Sequence, residues 1–225
     1  MRLDAAPPTE FKRSVLLGVQ PFMQPSPTKN PGGDCFACAT TAMLHHLYPE
    51  RPPSFEQVWD YWLQEDRGHG RTLANTWYFA RQAFYNGHRD GYRVEVMSDF
   101  VQPRYDPERG SHPWWNVIPE FTWARRLEAF LCAGWVAFAF INVAGSGPFD
   151  AEMRFNSPDH FVLIDGIGYA DEVLSRDESG KPRSWRTTEW VHVVCSAKGA
   201  YWIRVSDLLV KHGASALWLV RRGVD

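Results

Sequence analysis

Two short segments carry side chains suited to covalent chemistry. The first is GGDCFAC, in which Cys35 follows two glycines and an aspartate at the start of an apolar run. A helix beginning there would give Cys35 free N–H groups and the positive end of the macrodipole. Both favour thiolate over thiol, and thiolate is the nucleophile. The glycines would let a substrate backbone approach closely. The second segment is SPDHFVLIDGIGY, where His160 opens an apolar stretch after a proline-containing turn. A histidine near its ordinary pKa can take a thiol proton. Cysteine and histidine far apart in sequence are what a thiol–imidazole pair needs. Either residue alone also has a plainer reading, the cysteine as a small buried hydrophobe and the histidine as a structural side chain. Cys38 is the rival nucleophile. One turn into the helix it would face inward, where an apolar setting disfavours the thiolate, so Cys35 is preferred.

The elements that would position these residues follow from hydrophobic period. A helix is expected from Asp34 through Leu47, with Asp34 as N-cap and Phe36, Ala39, Met43 and Leu47 at helical spacing. Ser54 to Asp66 reads as a second helix. Ser54 and Gln57 form a capping box there, and Phe55, Val58, Trp59, Trp62 and Leu63 make one apolar stripe. Thr72–Asn86 and Thr122–Ala133 are expected helices closed by Gly87 and Gly134. After Gly134 the period changes. WVAFAFINV, HFVLIDGIGY, EWVHVVCS, AYWIRV and SALWLVRR are strand candidates, with a short helix from Ser206 to His212. The polar stretch ADEVLSRDESGKPRSWRTTE reads as an exposed connection, and residues 1–34 as an extended, Pro- and Gly-rich lead-in. Helices first and strands later give an α+β class: one domain over 1–225, with a mainly helical part at 35–133 and a mainly β part at 134–225, each forming one wall of a cleft.

Composition excludes several classes. At 225 residues, 44% hydrophobic and 22% charged, the chain is an ordinary globular length and not disordered in character. A net charge of −2 argues against nucleic acid or an anionic membrane as a charge-driven partner. No apolar run reaches the roughly 20 residues of a membrane helix, and the N-terminus has no apolar core of the signal-peptide type. Four cysteines without an export signal read as reduced thiols in a cytoplasm. No metal-ligand spacing and no phosphate loop is present, so no metal or cofactor is expected; zinc on Cys35 and Cys38 would lack its second paired motif. The eleven tryptophans cluster as Trp59/Trp62, Trp114/Trp115 and Trp123/Trp135, which suits a Trp-rich core or an aromatic-lined cleft.

Taken together, four segments give a resemblance. NPGGDCFACATTAML, CAGWVAFAFINVAGSG, DHFVLIDGIGY and VHVVCSAKGAYWIRV resemble, in order, the nucleophile helix, the helix-to-strand step, the histidine strand and the last catalytic strand of the papain-like cysteine peptidase superfamily, including its peptidase C39-like branches. They span residues 30 to 205. The resemblance implies a papain-like fold and a thiol protease that hydrolyses a peptide or isopeptide bond of a peptide or protein substrate through a thioester. Cys35 would be the nucleophile by the Asp–Cys pattern of the C39-like branch, or Cys38 by the CxxC pattern. His160 would be the base. The family's oxyanion glutamine has no counterpart six residues before either cysteine, where Lys29 and Gly32 stand. Gln24 is the substitute if the lead-in folds back, with Gln20 and Asn30 as further candidates. The family's His-orienting residue aligns with Ser196, with neighbouring Cys195 or an acidic residue elsewhere taking that place if the register between Val193 and Gly199 differs, and its shielding Trp aligns with Lys198. A thioester-forming acyltransferase and a non-catalytic papain-fold binding protein share these features and remain alternatives.

Overall fold

The computed structural model describes residues 7–24, 34–62, 91–101, 105–106, 110–111, 120–141, 160–211 and 216–223. The architecture over these is mixed helix and antiparallel sheet. In chain order the elements are β1 (Arg13–Leu16), α1 (Asp34–Leu47), α2 (Phe55–Trp62), β2 (Val94–Val101), β3 (Tyr105–Asp106), β4 (Gly110–Ser111), α3 (Glu120–Cys132), β5 (Val136–Ile141), β6 (His160–Arg176), β7 (Pro182–Cys195), β8 (Gly199–Arg204), a five-residue π-helix (Asp207–Lys211) and β9 (Ala216–Arg222).

One sheet organises the chain. Its strand order is β2-β9-β5-β6-β7-β8, and β1 pairs with β6 beyond the end of β5. Every pairing is antiparallel. Apolar residues occupy both faces, because helices cover both. One face carries Ala137, Ala139, Val162, Ile164, Val191, Val193 and Leu219 against Trp123, Leu127 and Leu131 of α3. The other carries Val136, Phe138, Phe161, Leu163, Val194 and Trp218 against Phe36, Met43 and Leu47 of α1. Period two along each strand assigns side chains to these two cores in turn.

Helix α1 occupies the span its period indicates. Residues 35–44 are buried without interruption, as for a helix enclosed on all sides rather than lying on a surface. At α2 the capping box forms in both directions: Gln57 N–H donates to Ser54 Oγ at 3.1 Å, and Ser54 N–H donates to Gln57 Oε1 at 2.8 Å. Phe55 and Val58 are its buried anchors. Helix α3 ends before Gly134, whose φ of +77° is the left-handed stop that glycine supplies.

Three elements differ from the sequence expectation. β1 lies within the extended lead-in and β2 within the mainly helical stretch, both recruited to strands of the main sheet. The polar stretch after Tyr169 is an antiparallel ribbon, because β6 and β7 continue through it with Val173 facing Trp185 and Asp171 facing Thr187. Only residues 177–181 turn, where Asp177 Oδ1 accepts from the N–H groups of Ser179 and Lys181, each at 2.9 Å. With water on both sides of a ribbon, polar residues suit both faces, so the apolar alternation that marks a half-buried strand is missing. The expected 72–86 helix, residues 63–66 at the end of α2, and Lys29, Asn30, Gly32, Trp114 and Trp115 lie outside the described residues.

Candidate functional site

The N-terminus of α1 meets the start of β6. Phe36 packs against Phe161 with ring centroids 5.0 Å apart, and both pack on Phe138. These are the residues immediately after Cys35 and His160, so the contact brings the two chain segments together. Cys35 is buried at 7% exposure within that aromatic core. Cys38 is fully buried in a separate cluster with Ala37 and Phe55, with Phe22 packed against it. One turn of helix therefore separates two thiols of different surroundings: Cys35 towards the His160 strand, Cys38 towards α2. All four cysteines are free thiols, and Cys132 is the exposed one.

His160 is buried, and its Nε2 lies 3.3 Å from Cys195 Sγ. Register explains the contact. Cys195 pairs with Val162, and alternation puts His160, Val162 and Cys195 on the same sheet face. The Cys195 sulfur also accepts from the Ala197 N–H at 3.4 Å. It thus sits in the mouth of the β7–β8 hairpin, whose turn is closed by Gly199 at φ +79°. Ser196, the residue aligned with the family's orienting position, is buried, but its Oγ has no hydrogen-bond partner among the described residues. Cys195, the last residue of β7, meets the imidazole, and Ser196 is the first residue of the turn that follows. Tyr201 stands nearby on β8. Burial, and then the charge a Cys195 thiolate would carry, push its phenol up to about 12, so it remains a neutral hydroxyl.

The lead-in does fold back. Leu17 N–H donates to the Asp165 carbonyl at 2.8 Å, Val19 N–H to Asp165 Oδ2 at 2.7 Å, and Gln24 N–H to the Ser196 carbonyl at 2.9 Å. Residues 17–24 form a strap over the sheet, and Gln24 ends one residue from the cysteine that holds His160. Beneath the strap lies a second polar cluster. Asp165 is fully buried, and its Oδ1 is 2.6 Å from Nδ1 of His192. Burial lowers the pKa of half-buried His46 on α1, and the Asp165 charge opposes that shift. Gly166 permits this packing: a Cβ there would lie 2.9 Å from both His192 Cβ and Leu16 Cδ1.

Sequence reasoning pointed to Cys35, His160 and Gln24 in segments that the structure draws together. It named Cys195 only as the fallback for Ser196, and it gave no role to Asp165 or His192. A signal was present for Asp165, a lone carboxylate inside the apolar run FVLIDGIGY, since a buried charge needs a partner. Among the described residues no group of three or more His, Cys, Asp or Glu side chains is arranged to hold a metal ion. No described helix is long and apolar enough to cross a membrane.

No family model matches the chain, and no curated protein does. Among solved structures, one titled "High Resolution Crystal Structure Analysis of SERA5E from plasmodium falciparum" aligns at a TM-score of 0.30 and 10% identity. The alignment covers 59% of this chain and 46% of that one, so this chain matches less than half of the neighbour's length. Similarity at that level carries no argument about activity.

Proposed function

We propose that this chain is a papain-like cysteine hydrolase that cleaves a peptide or isopeptide bond, with α1 and the sheet as the two walls of its cleft. The observation that carries the reading is the Phe36–Phe161 contact, which packs the segment opening with Cys35 against the segment opening with His160. Period two places the His160 ring with Val162 on the α3 face, and Phe161 with Cys35 on the α1 face, so the reading requires His160, the first residue of β6, to turn its ring around the end of the strand towards Cys35. With Nε2 turned to Cys195, Nδ1 is the nitrogen that serves the nucleophile. Cys195 takes the orienting role for which Ser196 was the expected residue. A thiol is a weak hydrogen-bonding group, so it orients the ring less strongly than a carboxylate would.

In the reaction, the Cys35 thiolate attacks the substrate carbonyl carbon, and the carbonyl π electrons move to oxygen. Backbone N–H groups at the start of α1 stabilise that oxyanion. The anchoring of Gln24 at Ser196 supports giving its side-chain amide a share in the same task. The C–N bond then breaks, His160 donates its proton to the departing amine, and a thioester remains. His160 next takes a proton from water, which attacks the thioester and returns the Cys35 thiolate. Half-buried Phe22, which packs beside these segments, supplies aromatic surface suited to a peptide or protein substrate.

Alkylation with iodoacetamide at pH 6, followed by mapping of the modified cysteine, tests the reading. An ordinary exposed thiol has a pKa of about 8.5 and is almost wholly protonated at pH 6. A paired Cys35 should therefore react faster than exposed Cys132 despite its burial, and His160→Ala should abolish the advantage. If Cys132 reacts first and Cys35 only after denaturation, the chain is a papain-fold binding protein and the hydrolase reading fails.

A further inference from the structure

Asp165 is a fully buried carboxylate that the proposed reaction does not use. Three elements surround it. From the strap it receives the Val19 N–H on Oδ2, while its own carbonyl receives the Leu17 N–H. From β7, His192 meets Oδ1, and the His192 ring is in turn packed on Trp202 of β8, with centroids 5.0 Å apart. From α1, His46 lies within the reach of its charge. A buried carboxylate is costly unless its lone pairs are satisfied. Here the acceptor capacity is spent on tying a segment with no helix and little strand of its own to the middle of the sheet. That segment ends at Gln24, whose N–H bonds the carbonyl next to Cys195.

We infer that Asp165 is the positioning residue of the site: through the Val19 N–H it holds the strap across the sheet so that Gln24 is delivered beside the His160–Cys195 pair. The consequence for catalysis rests on the hydrolase reading, whereas the mechanical coupling of Val19 to Gln24 does not. Strap and site are coupled because only four residues separate Val19 from Gln24, too few for one anchor to be lost without freeing the other. The carboxylate also fixes His192 through Nδ1, so the latch is a side-chain network rather than a lone bond.

Hydrogen exchange on the full chain tests the coupling directly. In the wild type the Val19 and Gln24 amides should both be protected. Val19→Pro deletes the strap's donor and also trims a buried side chain, so it is read beside Val19→Ala, which trims the side chain, keeps the N–H and should keep Gln24 protected. Val19→Pro should release the Gln24 amide, by about tenfold or more in exchange rate, while β6 amides such as that of Leu163 stay protected. Asp165→Leu should do the same, and Asp165→Asn, which keeps an acceptor for Val19, should retain Gln24 protection. Retained Gln24 protection in Val19→Pro, or its loss in Asp165→Asn with a protected sheet, overturns the assignment.

The catalytic arm uses the pH dependence of Cys35 alkylation, with Cys132 as internal control. Val19→Pro should lower the Cys35 rate about tenfold across the profile without moving Cys132, and Asp165→Asn should keep the wild-type profile. If the wild-type Cys35 has no advantage over Cys132, the hydrolase reading fails while the exchange result still judges the latch. If Cys35 keeps its advantage in Val19→Pro although Gln24 is released, the latch does not position the site.

Discussion

Strands β6 and β7 form two different regions with one pairing pattern. Near His160 and Cys195 the pair is buried, continuously from residue 160 to 170 of β6. Beyond Ala170 the same ladder continues as a ribbon, with Leu174 55% and Trp185 60% exposed. The backbone bonds are alike in kind. What differs is what lies on the faces: α1, α3 and the strap on the inner half, water on the outer half. The ribbon instead relies on side-chain bridges such as Arg186 and Arg204 to Glu172, and Ser175 to Ser184 at 2.6 Å. Exposed pairs of this kind contribute little. Backbone pairing therefore sets register in both regions, but only the covered half can hold an imidazole and a thiol in fixed geometry.

This contrast can be broken most severely at the inner end. Cys35→Ala or His160→Ala should reduce peptide hydrolysis by about a thousandfold or more, measured as kcat/KM on a fluorogenic peptide. Trp185→Ser on the ribbon should leave it unchanged. For stability, Leu163→Ala in the covered half should cost about 2–5 kcal/mol in denaturant unfolding. Trp185→Ser should stay within about 0.5 kcal/mol; an equal loss at both sites would show that the ribbon is packed on something.

Cys195→Ala should slow hydrolysis about tenfold, the scale of one lost hydrogen bond to the ring. Ser196→Ala should be neutral, since its Oγ has no partner among the described residues. The reverse outcome would return the orienting role to Ser196. A smaller effect concerns pH. Burial holds the His46 pKa below its usual 6.5, so the unfolded chain binds the proton more readily than the folded one. Stability is then fully present above about pH 6.5 and falls as pH drops below it. His46→Gln should flatten that part of the Tm-against-pH curve. Least of all, Ser54→Ala should cost about 1 kcal/mol by removing the α2 cap.

Local chemistry made much of this legible. The α1 limits follow from an N-terminal cap position and apolar spacing, the α2 start from a capping box, and the end of α3 from a glycine. These depend on residues within a few positions of each other, which the sequence displays directly. Strand β1 was less visible because it is four residues long, and β2, despite the alternation of Val94 and Val96 with Glu95, gains its bonds from β9 near the far end of the sequence. The ribbon was hidden because, with both faces in water, it carries the composition of a loop.

The sequence by itself determined two residues that could do chemistry: a cysteine at a helix start and a histidine at a strand start. Only the tertiary structure decided what each of them meets. Register between β6 and β7 set Cys195 opposite Val162, on the face of His160, and β7 ends there, so Ser196 falls in the turn beyond the ladder. The crossing of the strap brought Gln24 to Ser196 and gave Asp165 the N–H groups of Leu17 and Val19. Both outcomes depend on pairings between residues more than thirty positions apart or on opposite ends of the chain, and no local period encodes them.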